Sequence, residues 1–168
     1  IKYIALNPGA SYRGLHDSLV NFESGKGPQM IMCTHEEIAV ALANGYARAT
    51  GEIMATGLHD IVGLQHASMA IFNAWCDRTP ILNLGGGGPQ DTTNRRSTDW
   101  VHTANVQGLA VREYVKFDDQ PNSVDAVAES GLKHLQEDLA ELSPVVRVRI
   151  AGRGRGIRDV DIRYHPGR

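Results

Sequence analysis

Residues 34–48 read Thr-His-Glu-Glu-Ile-Ala-Val-Ala-Leu-Ala-Asn-Gly-Tyr-Ala-Arg, which is the most informative stretch of the chain. Its apolar residues are mostly small and recur at helical spacing, so they predict a helix over residues 35–50. Thr34 is placed to cap this helix, and Glu37 three residues later completes a capping box. Glu36 is then a second acid in the first turn, and it has no capping role.

On both sides of this helix, short apolar runs alternate with segments of helical spacing. The connections between successive strands span a dozen or more residues, as parallel strands require. The pattern predicts an α/β fold, a doubly wound parallel sheet with helices on both faces. The predicted strands are 3–6, 29–33, 52–57, 80–84, 113–117 and 145–150, and the predicted helices are 12–22, 35–50, 63–76, 103–110 and 123–142.

The composition is that of an ordinary globular domain. The chain has 168 residues, 42% hydrophobic and 21% charged, and its net charge is -2 at pH 7. That charge disfavours nucleic-acid binding, and no apolar run reaches the roughly 18 residues of a membrane span. Cys33 and Cys76 lie in apolar segments without a C-x-x-C pair, as expected of reduced thiols. We therefore expect a cytoplasmic protein that binds neither nucleic acid nor membrane.

Two motifs carry a family resemblance. The first is His-Glu-x-x-Ala followed by Gly-Tyr-Ala-Arg, and the second lies within residues 57–80 and includes Asn-Ala-Trp. Together they resemble thiamin-diphosphate (ThDP) enzymes of the acetolactate synthase and benzoylformate decarboxylase type. The resemblance implies that residues 1–150 form the pyrimidine-binding (PYR) domain, with a flavodoxin-like six-stranded parallel sheet. The matching residues are His35, Glu36, Ala39, Gly45, Tyr46, Ala47, Arg48, Gly63, His66, Ile71, Ala74 and Pro80.

The resemblance also implies roles for individual residues. Glu36 corresponds to the glutamate that bonds the N1′ nitrogen of the cofactor's aminopyrimidine. A carboxyl that shares a proton with that nitrogen needs a raised pKa, so we expect desolvation to outweigh the helix dipole. His59 aligns with an active-site histidine of benzoylformate decarboxylase, and Glu36 and His59 are the catalytic candidates. The residues implied in cofactor binding are Pro8, Gly9, Glu36, Gly63 and His66.

Each candidate also has a purely structural explanation. An acid in the first turn of a helix is favoured by the helix dipole alone. His59 would then be a strand-end loop histidine, and His66 a packing or surface residue. Ser11 follows Ala10, whereas benzoylformate decarboxylase has a serine directly after the glycine. The structural explanation for the loop at 7–11 is a turn, which predicts that Ser11 caps the 12–22 helix.

Other motifs are incomplete or weak. The four glycines at 85–88 match neither G-x-G-x-x-G nor a P-loop, and Ala39 stands where H-E-x-x-H needs its second histidine. We therefore predict no metal ligands in this chain. His102 is one further candidate, in a loop that in the family often contributes to the mouth of the active site.

The resemblance leaves half of a ThDP site unaccounted for. In the family, a pyrophosphate (PP) domain with a Gly-Asp-Gly motif holds Mg²⁺ and the diphosphate, and this sequence has no Gly-Asp-Gly. The resemblance therefore implies a fragment, a split subunit or a frameshifted product, inactive alone. The complete site would form in a homodimer or with a PP-domain partner chain. The assembled enzyme would be a decarboxylase or carboligase that acts on a small 2-oxo acid.

The tail differs from the rest of the chain. Residues 151–168 contain five Arg and four Gly and show little apolar periodicity, which indicates an appended segment that is either disordered or unrelated to the family. Two alternatives to the enzyme remain. One is a non-catalytic α/β binding or interaction domain with the same fold. The other is an RNA-associating protein that uses this tail, which the net charge disfavours.

Overall fold

The fold is built on a parallel sheet. A computed structural model describes residues 1–21, 27–88, 93, 104, 106–121 and 123–140. The strands are β1 (Tyr3–Leu6), β2 (Gln29–Met32), β3 (Met54–Leu58) and β4 (Ile81–Gly85). Within the described residues they form one sheet in the order β2-β1-β3-β4, and every pair is parallel. The carboxyl ends of the four strands therefore lie at one edge of the sheet.

The chain divides into two compact units. The first is Ile1–Val115, and the second begins at Lys116 and contains the helix α4 (Val124–Ala140). The helices of the first unit are α1 (Arg13–Asn21), α2 (Glu36–Thr50) and α3 (Val62–Asp77), with 3₁₀ helices at Ala10–Tyr12, Gln107–Ala110 and Arg112–Tyr114.

Helices cover both faces of the sheet. Successive residues of a strand point to opposite faces, and the two apolar clusters follow that alternation. Ile4 and Leu6 of β1 belong to a cluster that Leu15 and Leu19 of α1 complete. Ala5, between them, belongs to a larger cluster that α2 and α3 supply. The predicted flavodoxin-like, doubly wound α/β fold is confirmed.

Small side chains allow α2 to lie close against the sheet and against α3. Apart from Glu36, its buried residues are Ala39, Val40, Ala43 and Ala47, each at most 4% exposed. Close packing of this kind leaves little room for a larger residue. Gly51 ends the helix in the left-handed conformation with φ of 74°, which glycine adopts at low cost.

The predicted Thr34 cap is wrong, because α2 begins at Glu36 and His35 is its N-cap. His35 has extended backbone angles, and its Nδ1 accepts the backbone N–H of Glu37 at 3.2 Å. A histidine ring nitrogen here performs the task that serine or threonine oxygens usually perform. Glu36 is consequently the first residue of the helix.

Two other predictions from the sequence need correction. The strand expected at 113–117 is wrong, because Arg112–Tyr114 forms a 3₁₀ turn in which the Tyr114 N–H donates to the Val111 carbonyl at 3.0 Å. Among the described residues of the helix expected at 103–110, which are 104 and 106–110, only Gln107–Ala110 is helical, as a 3₁₀ segment. By contrast, the helix expected over 123–142 agrees with α4.

Several expectations fall on residues outside the described ones. They are the strand at 145–150, the Arg/Gly-rich tail at 151–168 and the candidate His102. The division into a 1–150 domain and a tail therefore stays a prediction. The described residues contain four of the six strands that the resemblance implies. They include no helix that is long and apolar enough to span a bilayer.

Candidate functional site

The candidate site lies where the sheet changes direction. The chain passes from β1 outward to β2 and then returns to β3 on the other side of β1. In open α/β sheets, ligands bind outside the carboxyl ends of the strands at such a switch point. The loop after β1 and the loop after β3 carry Ser11 and His59, and Glu36 follows β2 closely.

Glu36 is buried at this edge, with only 2% of its surface exposed. The backbone fixes this position. The Cys33 N–H donates to the Leu6 carbonyl at 2.8 Å, and this bond extends the pairing of β2 with β1 almost to the start of α2. The Glu36 carboxylate bonds the side chain of Asn7 and its own backbone N–H. Its Oε2 lies 3.3 Å from Nδ1 of His66 on α3.

Gly63 makes room for this carboxylate. A β-carbon at position 63 would lie 2.9 Å from the Leu58 carbonyl carbon and 3.2 Å from Cγ of Glu36. The first distance is shorter than a real β-carbon contact, and the atom it meets is rigid backbone. Glycine at position 63 is therefore required where α3 begins against the end of β3 and the Glu36 side chain.

The charge state of Glu36 differs from the expectation. Burial raises the pKa of Glu36, but hydrogen bonds from its own backbone N–H, from Asn7 and from His66 outweigh burial, so the pKa lies below the ordinary carboxyl value. The expectation of a raised pKa is therefore wrong for this chain. The carboxylate is anionic at neutral pH, and it is held by three donors in a nearly dry position.

Two histidines flank Glu36. The rings of His35 and His66 stack at a centroid distance of 4.6 Å and an interplanar angle of 17°. His66 is half exposed, so it belongs to the rim of the site. One donor atom from each of His35, Glu36 and His66 lies within 4.8 Å of the others. Such a set has the chemistry of a zinc site, and the prediction that the chain has no metal ligands stays a prediction.

A second polar group surrounds His59. The Ser11 Oγ lies 2.7 Å from His59 Nδ1. The backbone N–H of Asp60 is 2.8 Å from the same Nδ1 and 3.0 Å from the Ser11 Oγ. Gly9 supports the ring, because a β-carbon at position 9 would lie 2.8 Å from Cγ of His59. Ser11, His59 and Asp60 therefore form one compact polar group.

Gln107 ties the β3 and β4 loops together. Its Oε1 accepts the N–H of Ile61 at 2.8 Å, and its Nε2 donates to the Gly86 carbonyl at 2.6 Å. Ile61 has a φ of 39°, a strained value for a branched residue, and Gln107 bonds its backbone directly. A cavity of about 170 Å³ lies beside this link, lined in part by Ile61, Leu64 and Val106.

The predicted site residues fall into two neighbouring groups. Gly63 and His66 contact Glu36, whereas Gly9 contacts His59. Pro8 and Gly9 also line a 420 Å³ cleft beside α1, with Tyr12, Arg13 and His16 among its other residues.

Sequence reasoning missed Asn7, Tyr12 and Gln107 as members of the site. Asn7 is the first residue after β1, so its place in the chain was an available signal. The Tyr12 hydroxyl donates to the Asn7 carbonyl, and burial, followed by the charge of Glu36, raises the pKa of Tyr12. Gln107 had no comparable signal, because it lies 46 residues from its partner Ile61.

Curated relatives share the sequence pattern. The chain is 28% identical over 110 residues to the acetolactate synthase large subunit of Haemophilus influenzae, covering 66% of this chain and 18% of that protein. It is 33% identical over 79 residues to the acetolactate synthase large subunit of Lactococcus lactis, covering 47% and 13%. The chain thus spans less than a fifth of the length of these relatives.

Solved structures share the fold. A benzoylformate decarboxylase from Polynucleobacter necessarius superposes with a TM-score of 0.67 at 16% identity, covering 82% of this chain and 24% of that one. A 4-hydroxybenzoylformate decarboxylase from Rhodococcus jostii gives 0.63 at 20% identity, covering 79% and 24%.

A sequence profile covers most of the unit that contains the site. The family described as thiamine pyrophosphate enzyme, N-terminal TPP binding domain, matches residues 1–108. That range includes all four strands, Glu36 and the loop that carries His59. The chain therefore belongs to the thiamine pyrophosphate enzyme family, in which it represents the N-terminal PYR domain.

Proposed function

We propose that this chain supplies the pyrimidine-binding half of a ThDP site in a 2-oxo acid decarboxylase or carboligase similar to acetolactate synthase. The observation that carries the proposal is the buried Glu36 carboxylate at the carboxyl edge of the parallel sheet. A fully buried acid is rare unless it is paired or used. Gly63, which leaves space beside the Glu36 stem, belongs to the same arrangement.

The residues fit an aminopyrimidine. A dry, anionic carboxylate is complementary to a ring nitrogen that carries or shares a proton, and it would hold such a ring by a charge-assisted hydrogen bond. Bound ThDP supplies the carbanion stabilisation that decarboxylation of a 2-oxo acid needs. Glu36 would accept the hydrogen bond of the ring nitrogen, and Asn7 and His66 would keep its carboxylate in one orientation.

His59 is the candidate for handling the substrate. It belongs to the β3 loop at the same edge of the sheet, where Ser11 and Asp60 hold its ring. A histidine can bond a substrate carboxylate or move a proton near neutral pH. We assign it a step on the 2-oxo acid, apart from the attachment of the pyrimidine ring to Glu36.

The remaining parts of the enzyme would come from elsewhere. A PP domain, in a second copy or in a partner chain, would hold Mg²⁺ and the diphosphate, and a dimer would complete the site. We also propose a cytoplasmic location, which agrees with the reduced cysteines Cys33 and Cys76.

One observation favours a second function, a non-catalytic binding or interaction domain. The Glu36 carboxylate already has donors from Asn7, His66 and its own backbone, and these lower its pKa. An acid whose hydrogen bonds are satisfied within the chain can simply hold α2, α3 and the β1 loop together.

An NMR titration separates the two functions. Isotope-labelled full chain is titrated with thiamin, which has the aminopyrimidine but no diphosphate, and then with ThDP, Mg²⁺ and an added PP domain. We expect saturable shifts around Glu36 that Glu36→Gln abolishes. The matched control is Glu37→Gln, which removes the exposed neighbouring acid of the same turn. Shifts that are absent, or equal in Glu36→Gln, would overturn the proposal.

A further inference from the structure

We propose that Ser11 is a positioning residue that holds His59 as its Nε2-protonated tautomer. The two side chains are 48 residues apart in the chain and meet where the loops after β1 and β3 come together. The proposal concerns the ring itself, and only its consequence for substrate rests on the proposed function.

The Asp60 backbone fixes the role of Nδ1. Its N–H lies 2.8 Å from Nδ1 of His59, and a backbone N–H can only donate. Nδ1 must therefore offer a lone pair. In a neutral imidazole one nitrogen accepts and the other carries the proton, so the proton is on Nε2.

Ser11 completes the arrangement. Its Oγ lies 3.0 Å from the Asp60 N, so this one N–H is shared between Nδ1 and the Ser11 Oγ. The Ser11 O–H can then donate to Nδ1 at 2.7 Å. Two donors thus converge on Nδ1. With the Nδ1–H tautomer, the ring would present a hydrogen to the Asp60 N–H, and the Ser11 hydroxyl would have to turn away.

Packing shows that the serine is built into place. A β-carbon at Gly86 would lie 2.8 Å from Cβ of Ser11 and would also collide with its Oγ. A β-carbon at Gly9 would press on the His59 ring. The loops after β1, β3 and β4 can therefore meet around this pair only because positions 9 and 86 lack side chains.

The predicted capping role of Ser11 is wrong. Gly9 is the N-cap of the 3₁₀ helix Ala10–Tyr12, and no side chain caps that helix. Ser11 is in the middle of it, and its hydroxyl contacts His59 and Asp60. The hydroxyl is therefore committed to the histidine and not to a helix end.

A ring held in this way is a hydrogen-bond donor through Nε2–H. An anionic oxygen, such as the carboxylate of a 2-oxo acid, needs a donor of that kind. Within the proposed function, Ser11 would then act on substrate binding through His59 without touching the substrate itself.

Nitrogen NMR of the full chain tests the proposal without any cofactor. In ¹⁵N-labelled wild type, we expect His59 to show a protonated Nε2 and an unprotonated Nδ1. In Ser11→Ala, the loss of one hydrogen bond should raise the population of the Nδ1-protonated form roughly fivefold. Gly86→Ala, which displaces the hydroxyl without removing it, should act in the same direction. Ser18→Ala, at an exposed serine of α1, is the matched control and should leave the His59 signals unchanged.

Pyruvate added to the same samples probes the consequence for substrate. It should shift the His59 Nε2–H signal at lower concentration in wild type than in Ser11→Ala. A mixed or Nδ1-protonated ring in the wild type, or a Ser11→Ala spectrum identical to wild type, would overturn the positioning role. Because thiamin binding at Glu36 is read from other signals, failure here and failure of the proposed function are distinguishable.

Discussion

Gly63 packs directly against the side chain of Glu36, since a β-carbon on Gly63 would lie 3.2 Å from Cγ of the buried glutamate. The same β-carbon would lie 2.9 Å from the Leu58 carbonyl carbon, which cannot move without disturbing the end of β3. The start of α3 and the position of the candidate acid thus depend on one missing side chain.

Gly63→Ala should therefore destabilise the protein. Overpacking at a rigid contact costs about 1–3 kcal/mol, and urea denaturation of the full chain would measure the loss. Gly45→Ala is the control, because position 45 is also in a helix but a new β-carbon there would meet none of the described residues within 4 Å. That change should be neutral or stabilise by up to about 1 kcal/mol. Equal stability of the two variants would contradict the steric argument.

The lowered pKa of Glu36 predicts a contribution to stability that depends on pH. The folded pKa lies below the unfolded value, so the contribution is fully present above the unfolded pKa of about 4.3 and is lost as pH falls through the folded pKa. Wild type should lose more stability than Glu36→Gln between pH 7 and the acid range. Urea midpoints at several pH values measure this, with Glu37→Gln as the control for loss of a first-turn acid. If Glu36→Gln lost more stability at acid pH than wild type, the predicted direction of the Glu36 pKa shift would be contradicted.

The fold was predictable because its signals are local. Apolar runs and helical spacing place β1 to β4 and α1 to α3 to within a few residues, and the long connections require parallel strands. The segment 113–117 failed because its apolar residues look like a strand, whereas the N–H of Tyr114 closes a 3₁₀ turn with the Val111 carbonyl. A pattern of apolar residues does not reveal whether a backbone N–H will bond to a neighbouring strand or to a carbonyl three residues earlier.

The position of the candidate site was predictable from the sequence, but the charge state of Glu36 was not. A first-turn acid after an apolar strand led correctly to a buried Glu36. The direction of its pKa depends on Asn7 and His66, which are 29 and 30 residues away in the chain and meet Glu36 only through the sheet and α3. The pairing of Ser11 with His59 is equally non-local.

His66→Phe should raise the pKa of Glu36. The variant keeps an aromatic ring to stack on His35 but removes the nitrogen that lies 3.3 Å from the carboxylate. Burial raises the pKa of Glu36, whereas His66 lowers it. Without His66, the effect of burial is less opposed and the pKa should rise. Carbon NMR of the Glu36 carboxyl, followed against pH, measures the change. His16→Phe, at an exposed histidine of α1, is the control, and an unchanged or lower pKa in His66→Phe would refute the role of His66.

The two catalytic candidates should fail in different ways when the chain is combined with a PP domain. Glu36→Gln removes the anionic acceptor for the ring proton and should lower turnover by about 10²-fold or more, since general acid–base groups contribute about 10²–10⁴. His59→Ala should slow a step on the 2-oxo acid while ThDP still binds with wild-type affinity. Steady-state rates with pyruvate, together with ThDP titration by circular dichroism, separate the two effects. Near-normal turnover in Glu36→Gln would remove the acid from the mechanism. Weak ThDP binding with normal chemistry in His59→Ala would move His59 from the substrate to the cofactor.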